Sequence, residues 1–388
     1  MNKSFYLNNI QLKSELNRCL GCATKPCKQA CPLKCDPQQF IQLAKEEKFK
    51  EAVEAIYKKN PLGKICGLVC PERLCMRACL RSRIDSPIQI NKIQATLIEK
   101  QPLKEITFPA PFHSKKIAVI GAGPAGVVTA FLLAQNGFKV TLFEKNESIG
   151  GALSLIPSFR LSKETIFQEF NLLLKNAPIT LKTNTYIKNP KTLLKTGFNA
   201  VFITTGEEKL KKLFIKGEKH TISYPSFLSN PKAWEQSKKI AIIGGGNVAF
   251  DCAILAKKTG VENVHIFVRR RHCDMRITLK DHLELVENKI SIHPLTHPVQ
   301  IKKEKAKYNL ILEKNSYHDN KLEIIKNSLY SENGFDTIVC AIGTETTQVQ
   351  NTDNIFYAGD IKIGSSSIAE AIADAKQTVQ EFIQSLLK

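Results

Sequence analysis

Apolar positions along the chain fall into short runs that end on glycine or on a charge. Ile117–Ile120, Val140–Phe143, Ile240–Ile243 and Val264–Val268 are strand-length runs rich in β-branched and aromatic residues, the signature of buried strands. Within each pair the intervening stretch has helical apolar spacing. Residues 115–145 and 238–269 therefore each read as strand, tight turn, helix, strand. Val201–Gly206, Asp336–Gly343 and Ile355–Asp360 predict three more buried strands, and Lys163–Leu174 and Ser367–Ile383 predict helices. Pro37–Lys59 carries helical spacing through Phe40, Ile41, Leu43, Ala44, Phe49, Ala52, Val53, Ala55 and Ile56. Residues 280–335 alternate apolar and polar, which predicts antiparallel strands. Residues 101–114 hold three prolines and no period, and read as a linker. Repeated strand–helix–strand units make the fold class α/β.

The turns inside the two repeats carry the candidate chemistry. Gly121, Gly123 and Gly126 stand in the pattern G-x-G-x-x-G between strand and helix. The first glycine permits the turn, the second admits a pyrophosphate, and the third lets helix and strand pack closely. Glu144 ends the second strand, where an acid can hydrogen-bond a ribose hydroxyl. Gly150-Gly151 suits close backbone approach to a ligand. The second repeat has Gly244, Gly246 and Ala249. Where the first repeat has Glu144, it has Arg269. An arginine there suits a 2′-phosphate, with Arg270 and Arg276 reinforcing it, so NADPH is expected over NADH. His282, His293 and His297 form no catalytic constellation.

Nine of the 12 cysteines lie before residue 80. They form two groups: Cys19, Cys22, Cys27 and Cys31-Pro32, then Cys66, Cys70-Pro71, Cys75 and Cys79, with Cys35 between them. Thiolate runs ending in Cys-Pro mark iron–sulfur ligation. Zinc competes, but it would more naturally show two matched Cys-x2-Cys pairs. Outside this segment no Cys-x2-Cys occurs, which argues against a disulfide reductase.

At 388 residues the chain has room for two or three domains. Its net charge of +20 is scattered, mostly as lysine. That reads as a solvated surface rather than a nucleic-acid patch, with an acidic protein partner as the second reading. No apolar run reaches the ~18 residues of a membrane span. The N-terminus lacks a secretory signal's apolar core, so a cytoplasmic protein is expected.

These residues carry a family resemblance. Cys19–Gln94, and above all ICGLVCPERLCMRAC followed by SPIQINKIQ, resembles the N-terminal iron–sulfur domain of dihydropyrimidine dehydrogenase and of its bacterial NAD(P)H-oxidising subunit. It is also similar to the glutamate synthase small subunit. The resemblance covers nearly the whole chain. It implies a helical double-cluster domain (1–100), a linker (101–114), an FAD domain (115–207 and 345–388) and an NAD(P)H domain (208–344), the latter two Rossmann-like as in two-dinucleotide flavoproteins.

The resemblance implies two [4Fe-4S] clusters, one on Cys19, Cys22, Cys27 and Cys79. The other falls on Cys31, Cys70, Cys75 and Gln94, with Cys35 and Cys66 spare and able to replace Gln94. One residue fewer separates Cys70 from Cys75 than in the family. For FAD it implies Gly121, Gly123, Ala125, Gly126, Glu144, Lys145, Gly151, Arg160, Gly359, Asp360 and Ser367. For the nicotinamide nucleotide the candidates are Gly244, Gly246, Asn247, Arg269, Arg270, Arg276, Ala341 and Gly343; the resemblance includes Arg269 and Arg276 and places Ala341 to Gly343 at the nucleotide's border. The segment between Gly343 and Ile355 is short for the family. The implied activity is electron input from NADPH through FAD and the clusters to a partner protein. That partner is a dihydropyrimidine dehydrogenase catalytic subunit or, alternatively, a glutamate synthase large subunit. Readings of another class are a cluster-free scaffold and a zinc or nucleic-acid-binding protein.

Overall fold

The computed structural model describes residues 5–387. The cysteine segment folds as α1 (Asn9–Asn17), α2 (Pro26–Ala30), α3 (Pro37–Lys45), α4 (Phe49–Lys59), α5 (Gly63–Val69) and α6 (Ile90–Lys100). Asp36 starts α3 by accepting a bond from the Gln39 amide at 3.2 Å, and Pro37 fits the first helical position. The helical spacing of 37–59 becomes two helices rather than one run. Glu47 turns the chain with φ 58, and no glycine or proline marks the break. Phe40, Ile41, Ala44, Val53, Ile56, Ile93 and Leu97 form one core, against which Cys19, Cys27, Cys75 and Cys79 pack.

The first nucleotide fold runs β1 (Lys116–Ile120), α7 (Pro124–Gln135), β2 (Lys139–Phe143), α8 (Lys163–Leu174), β3 (Ile179–Lys182), α9 (Lys191–Lys195) and β4 (Ala200–Ile203). Residues 101–114 have no regular structure. They lie along this fold, with the Phe112 and His113 amides donating to Gly137 O at 3.1 and 3.2 Å and His113 stacked on Phe138. The second nucleotide fold comprises β5 (Ile222–Ser223), α10 (Tyr224–Ser229), β6 (Lys239–Ile243), α11 (Asn247–Lys258), β7 (Asn263–Phe267), α12 (Leu279–Glu287) and β8 (Ser291–His293). It then adds β9 (Thr296–Glu304), β10 (Lys307–His318), β11 (Lys321–Ile324), β12 (Tyr330–Phe335) and β13 (Thr337–Cys340). The chain finishes with β14 (Ile355–Tyr357), α13 (Asp360–Ile363) and α14 (Ile368–Ser385).

Two parallel sheets result, ordered β14-β4-β1-β2-β3 and β5-β13-β6-β7-β8, and β9 to β12 form the expected antiparallel sheet. The alternation of residues 280–335 misleads at its start. Residues 279–287 are helical because Thr278 and Asp281 form a reciprocal capping box, and β8 joins the parallel sheet beside β7. The predicted strand Ile355–Asp360 stops at Tyr357, and Gly359, at φ 76, turns the chain into α13. Two compact units emerge. One holds Met1–Ser154, Ser158–Glu208 and Thr346–Lys388; the other holds Leu155–Pro157 and Lys209–Glu345. The cysteine segment thus shares a unit with the first nucleotide fold. Among the described residues no helix is long and apolar enough to cross a membrane.

Candidate cofactor sites

The first glycine loop is built by three different constraints. Gly121 adopts φ 100, and a Cβ there would meet Thr204 O at 2.8 Å. A Cβ at Gly126 would lie 1.8 Å from Gly121 O, so only glycine lets α7 close onto the loop. Gly123 is different: its Cβ would meet only Gly151 Cα, at 3.6 Å, and Gly151 in turn has φ 53. The two glycines face one another without side chains. Gly123 caps α7 with no side-chain bond, so first-turn N–H groups remain for an anion.

Buried Glu144 is fixed by this loop. One carboxylate oxygen accepts from the Ala122 amide and the other from the Asn146 amide, both at 2.9 Å. Each oxygen keeps a further lone pair. Gly359 approaches the same place, since its Cβ would meet Ala125 Cβ at 2.6 Å. Burial raises the Asp360 carboxyl, which accepts from Ser366 Oγ at 2.6 Å. Ser367 caps α14. Lys145 turns instead to Glu208 at 2.5 Å, and Arg160 lies part-buried before α8. Thr204 is a residue that the sequence reading missed. Its hydroxyl donates to Ile120 O at 2.8 Å, with Gly121 O at 3.0 Å, tying the loop to β4. Its only signal was a polar residue inside an otherwise apolar run.

In the second fold, Gly244 has φ 148, and its Cβ would collide with Ala341 O at 2.2 Å, whereas Gly246 faces open space. Asn247 opens α11, exposed at the loop, and Ala249 is fully buried beneath it. The Arg276 amide donates to Gly245 O at 2.9 Å, and its backbone pairs with Gly246. Arg269 follows β7, its carbonyl accepting from Asn315 Nδ2 at 2.8 Å. Asn315 was not foreseeable, since it reaches Arg269 from β10. Arg271 is engaged by Asp274 at 2.8 Å and lies 4.4 Å over the Tyr317 ring. Among the described residues Arg269, Arg270 and Arg276 have no such acidic partner. The Ala341 amide donates to Ile243 O at 2.8 Å, and Gly343 O accepts from Lys211 N at 3.0 Å.

Cys19, Cys22, Cys27 and Cys79 line one cavity with about 410 Å³ of empty space, its open mouth included. Burial pushes the Cys27 thiol up to about 11, with Cys79 and Cys19 adding to the effect. Cys75 is raised by burial and by neighbouring Cys70 and Cys31. Hydrogen bonding from Cys35 draws Cys31 down to about 6, and Cys66 stands beside Cys70. Both spare cysteines therefore adjoin the second set. Gln94 is buried on α6, its Nε2 donating to Gly63 O at 2.6 Å. Among the described residues no three His, Cys, Asp or Glu converge closely enough to hold one metal ion. A zinc site draws its thiolates to ~2.3 Å from a single ion, whereas in a [4Fe-4S] cubane each thiolate takes its own iron. Four thiols spaced around a cavity fit the cubane.

Comparison with known proteins agrees. Residues 2–106 match the family described as dihydropyrimidine dehydrogenase domain II, 4Fe-4S cluster. Residues 115–377 match pyridine nucleotide-disulphide oxidoreductase. The chain belongs to the pyridine nucleotide-disulphide oxidoreductase family. This oxidoreductase is 31% identical over 380 residues to the NAD-dependent dihydropyrimidine dehydrogenase subunit PreT of Escherichia coli K12, covering 94% of this chain and 92% of that one. It is 28% identical to the NADPH-Fe(3+) oxidoreductase subunit beta of Geobacter sulfurreducens, over 70% of this chain and 42% of that one. FprA of Mycobacterium tuberculosis, solved with NADPH, shares the oxidoreductase fold at TM-score 0.61 and 17% identity, covering 71% of this chain and 85% of its own.

Proposed function

We propose that the chain is the electron-input subunit of a larger oxidoreductase, taking hydride from NADPH and delivering single electrons to a partner protein. One arrangement carries this reading: Cys19, Cys22, Cys27 and Cys79 surround a cavity in the same compact unit as the cradle of Gly121, Gly123 and Gly151. Bound there, FAD would supply the exchange of one hydride for two single electrons, and two [4Fe-4S] clusters would supply single-electron carriers.

The chain's own residues bind and orient. The first-turn amides of α7 take a pyrophosphate, Glu144 a ribose and Asp360 a ribityl hydroxyl. The α14 N-terminus favours negative charge beside it. Cys19, Cys22, Cys27 and Cys79 hold one cluster; Cys31, Cys70, Cys75 and Gln94 hold the other. No general acid or base is needed. Arg269, Arg270 and Arg276 receive the 2′-phosphate of NADPH beside Gly244, Gly246 and Asn247, with Ala341 and Gly343 bordering the nicotinamide. A second reading, NADH as donor, is favoured by the description of the PreT relatives as NAD-dependent.

Those relatives are named as dihydropyrimidine dehydrogenase subunits. The acceptor here is accordingly a catalytic subunit of that kind, and the +20 charge suits an acidic docking face. The test is metal analysis of anaerobically purified protein. The expected content is about eight iron and eight labile sulfide per chain, as two cubanes require. Stoichiometric zinc without sulfide would overturn the reading.

A further inference from the structure

Helix α5 begins without a cap of its own. Leu62 precedes it and offers no side-chain acceptor, so its first-turn amides need acceptors from elsewhere. They find one more than a hundred residues away in sequence. Glu169, on α8 of the first nucleotide fold, accepts from Lys64 N at 2.6 Å and from Ile65 N at 2.7 Å. The Tyr57 hydroxyl donates to the same carboxylate at 3.0 Å. Glu169 is 3% exposed. Burial pushes its carboxyl up to about 7, against the pull of these three donors.

The clamped helix leads into the second thiol set. Cys66 is on it, and Cys70 ends it. Gly63, its first residue, accepts the Gln94 side chain at 2.6 Å. Behind it, α6 packs without slack, since a Cβ on Gly67 would meet Ala95 N at 2.9 Å. The turn before α5 is also gripped from α14, where Lys376 Nζ donates to Lys59 O at 2.7 Å. A displacement of α5 would therefore carry Cys70 and the Gln94 anchor together.

We propose that Glu169 is a positioning residue for electron transfer, capping α5 across the join so that the second cluster keeps a fixed distance from the flavin. It touches neither cofactor and acts through the helix. This rests on the assignment of Cys31, Cys70 and Cys75 to a second cluster, which is scored first and on unaltered protein. About four iron per chain there would remove that cluster and overturn the assignment, and the proposal with it.

The experiment is anaerobic stopped flow with rapid-freeze EPR on protein carrying both clusters, comparing Glu169→Ala and Glu169→Gln. NADPH should bleach the flavin at the unaltered rate in both variants. The reduced-cluster signal should appear about tenfold or more slowly in Glu169→Ala, as a small misplacement in preset geometry costs. The loss should be smaller in Glu169→Gln, which keeps one acceptor oxygen. Unchanged rates for both steps, or a parallel fall in both, would overturn the proposal. Should Glu169→Ala fail to assemble, Glu169→Gln decides alone, through hydrogen exchange at the Lys64 and Ile65 amides. Faster exchange there with slower cluster reduction supports the clamp. Faster exchange with an unchanged rate overturns it.

Discussion

Arg269 stands exposed after β7, and Arg276 is drawn to the glycine loop through its backbone. Their positions are set by main-chain bonds, so removing the side chains should spare the fold. Each charge-assisted bond lost to a phosphate should cost about 1.5–3 kcal/mol, or roughly ten- to a hundred-fold in an equilibrium constant. Arg269→Ala with Arg276→Ala should raise the Michaelis constant for NADPH steeply and leave that for NADH nearly unchanged. Dye-reduction kinetics with both nucleotides check this, and equal losses would place the arginines at the common diphosphate.

His265 offers a pH test at the same scale. Burial, with Lys239 and His293 nearby, pushes it down to about 4. Its Nδ1 lies 2.9 Å from His293 Nε2, and Phe267 and Phe335 flank the ring. The unfolded chain takes up this proton near pH ~6.5 and the folded chain only near 4, so stability falls as pH drops through that window. Glu332 opposes the shift. His265→Phe should flatten the acid side of a urea-midpoint profile. An unchanged slope would show that other groups govern it.

At the scale of elements, the glycines separate into those the fold needs and those a ligand needs. Gly126→Ala drives a Cβ to within 1.8 Å of Gly121 O, and such overpacking costs about 1–3 kcal/mol or more. A Cβ at Gly123 would meet nothing closer than 3.6 Å, and Gly123→Val needs no positive φ. It should melt within about 1 kcal/mol of the unaltered protein yet lose FAD. Calorimetry with flavin release by ultrafiltration measures both, and full FAD occupancy in Gly123→Val would refute the cradle.

β1, β2, β6 and β7 were legible because each is a short apolar run closed by a turn or a charge. The cysteine spacing was legible because thiolates at such intervals have few other uses. The break at Glu47 was not, since its left-handed residue is neither glycine nor asparagine. Helix α12 was hidden because its capping box, Thr278 with Asp281, straddles the start of an alternating stretch. The trans cap by Glu169 was invisible, because only tertiary structure brings α8 to α5.

At the scale of the molecule, the cysteine segment is tied to the flavin fold at several points. Besides Glu169, Arg73 in the Cys70–Cys75 loop pairs with Glu370 at 3.0 Å in the first turn of α14, and Lys376 reaches Lys59 O. These ties hold the cysteine segment against the first nucleotide fold within one compact unit. The charge of +20 bears on the outgoing step. Association with an acidic acceptor should slow as salt rises from low to physiological ionic strength. Electron transfer to a partner that ignores salt would argue for an apolar docking face. The central claim is that one chain connects NADPH to iron–sulfur clusters through FAD. Its most direct test is an anaerobic NADPH titration of the purified protein without partner, followed by flavin absorbance and low-temperature EPR together. Flavin bleaching should be accompanied by the EPR signals of reduced [4Fe-4S] clusters. Bleached flavin beside clusters that stay oxidised and EPR-silent, while dithionite reduces them, would contradict it.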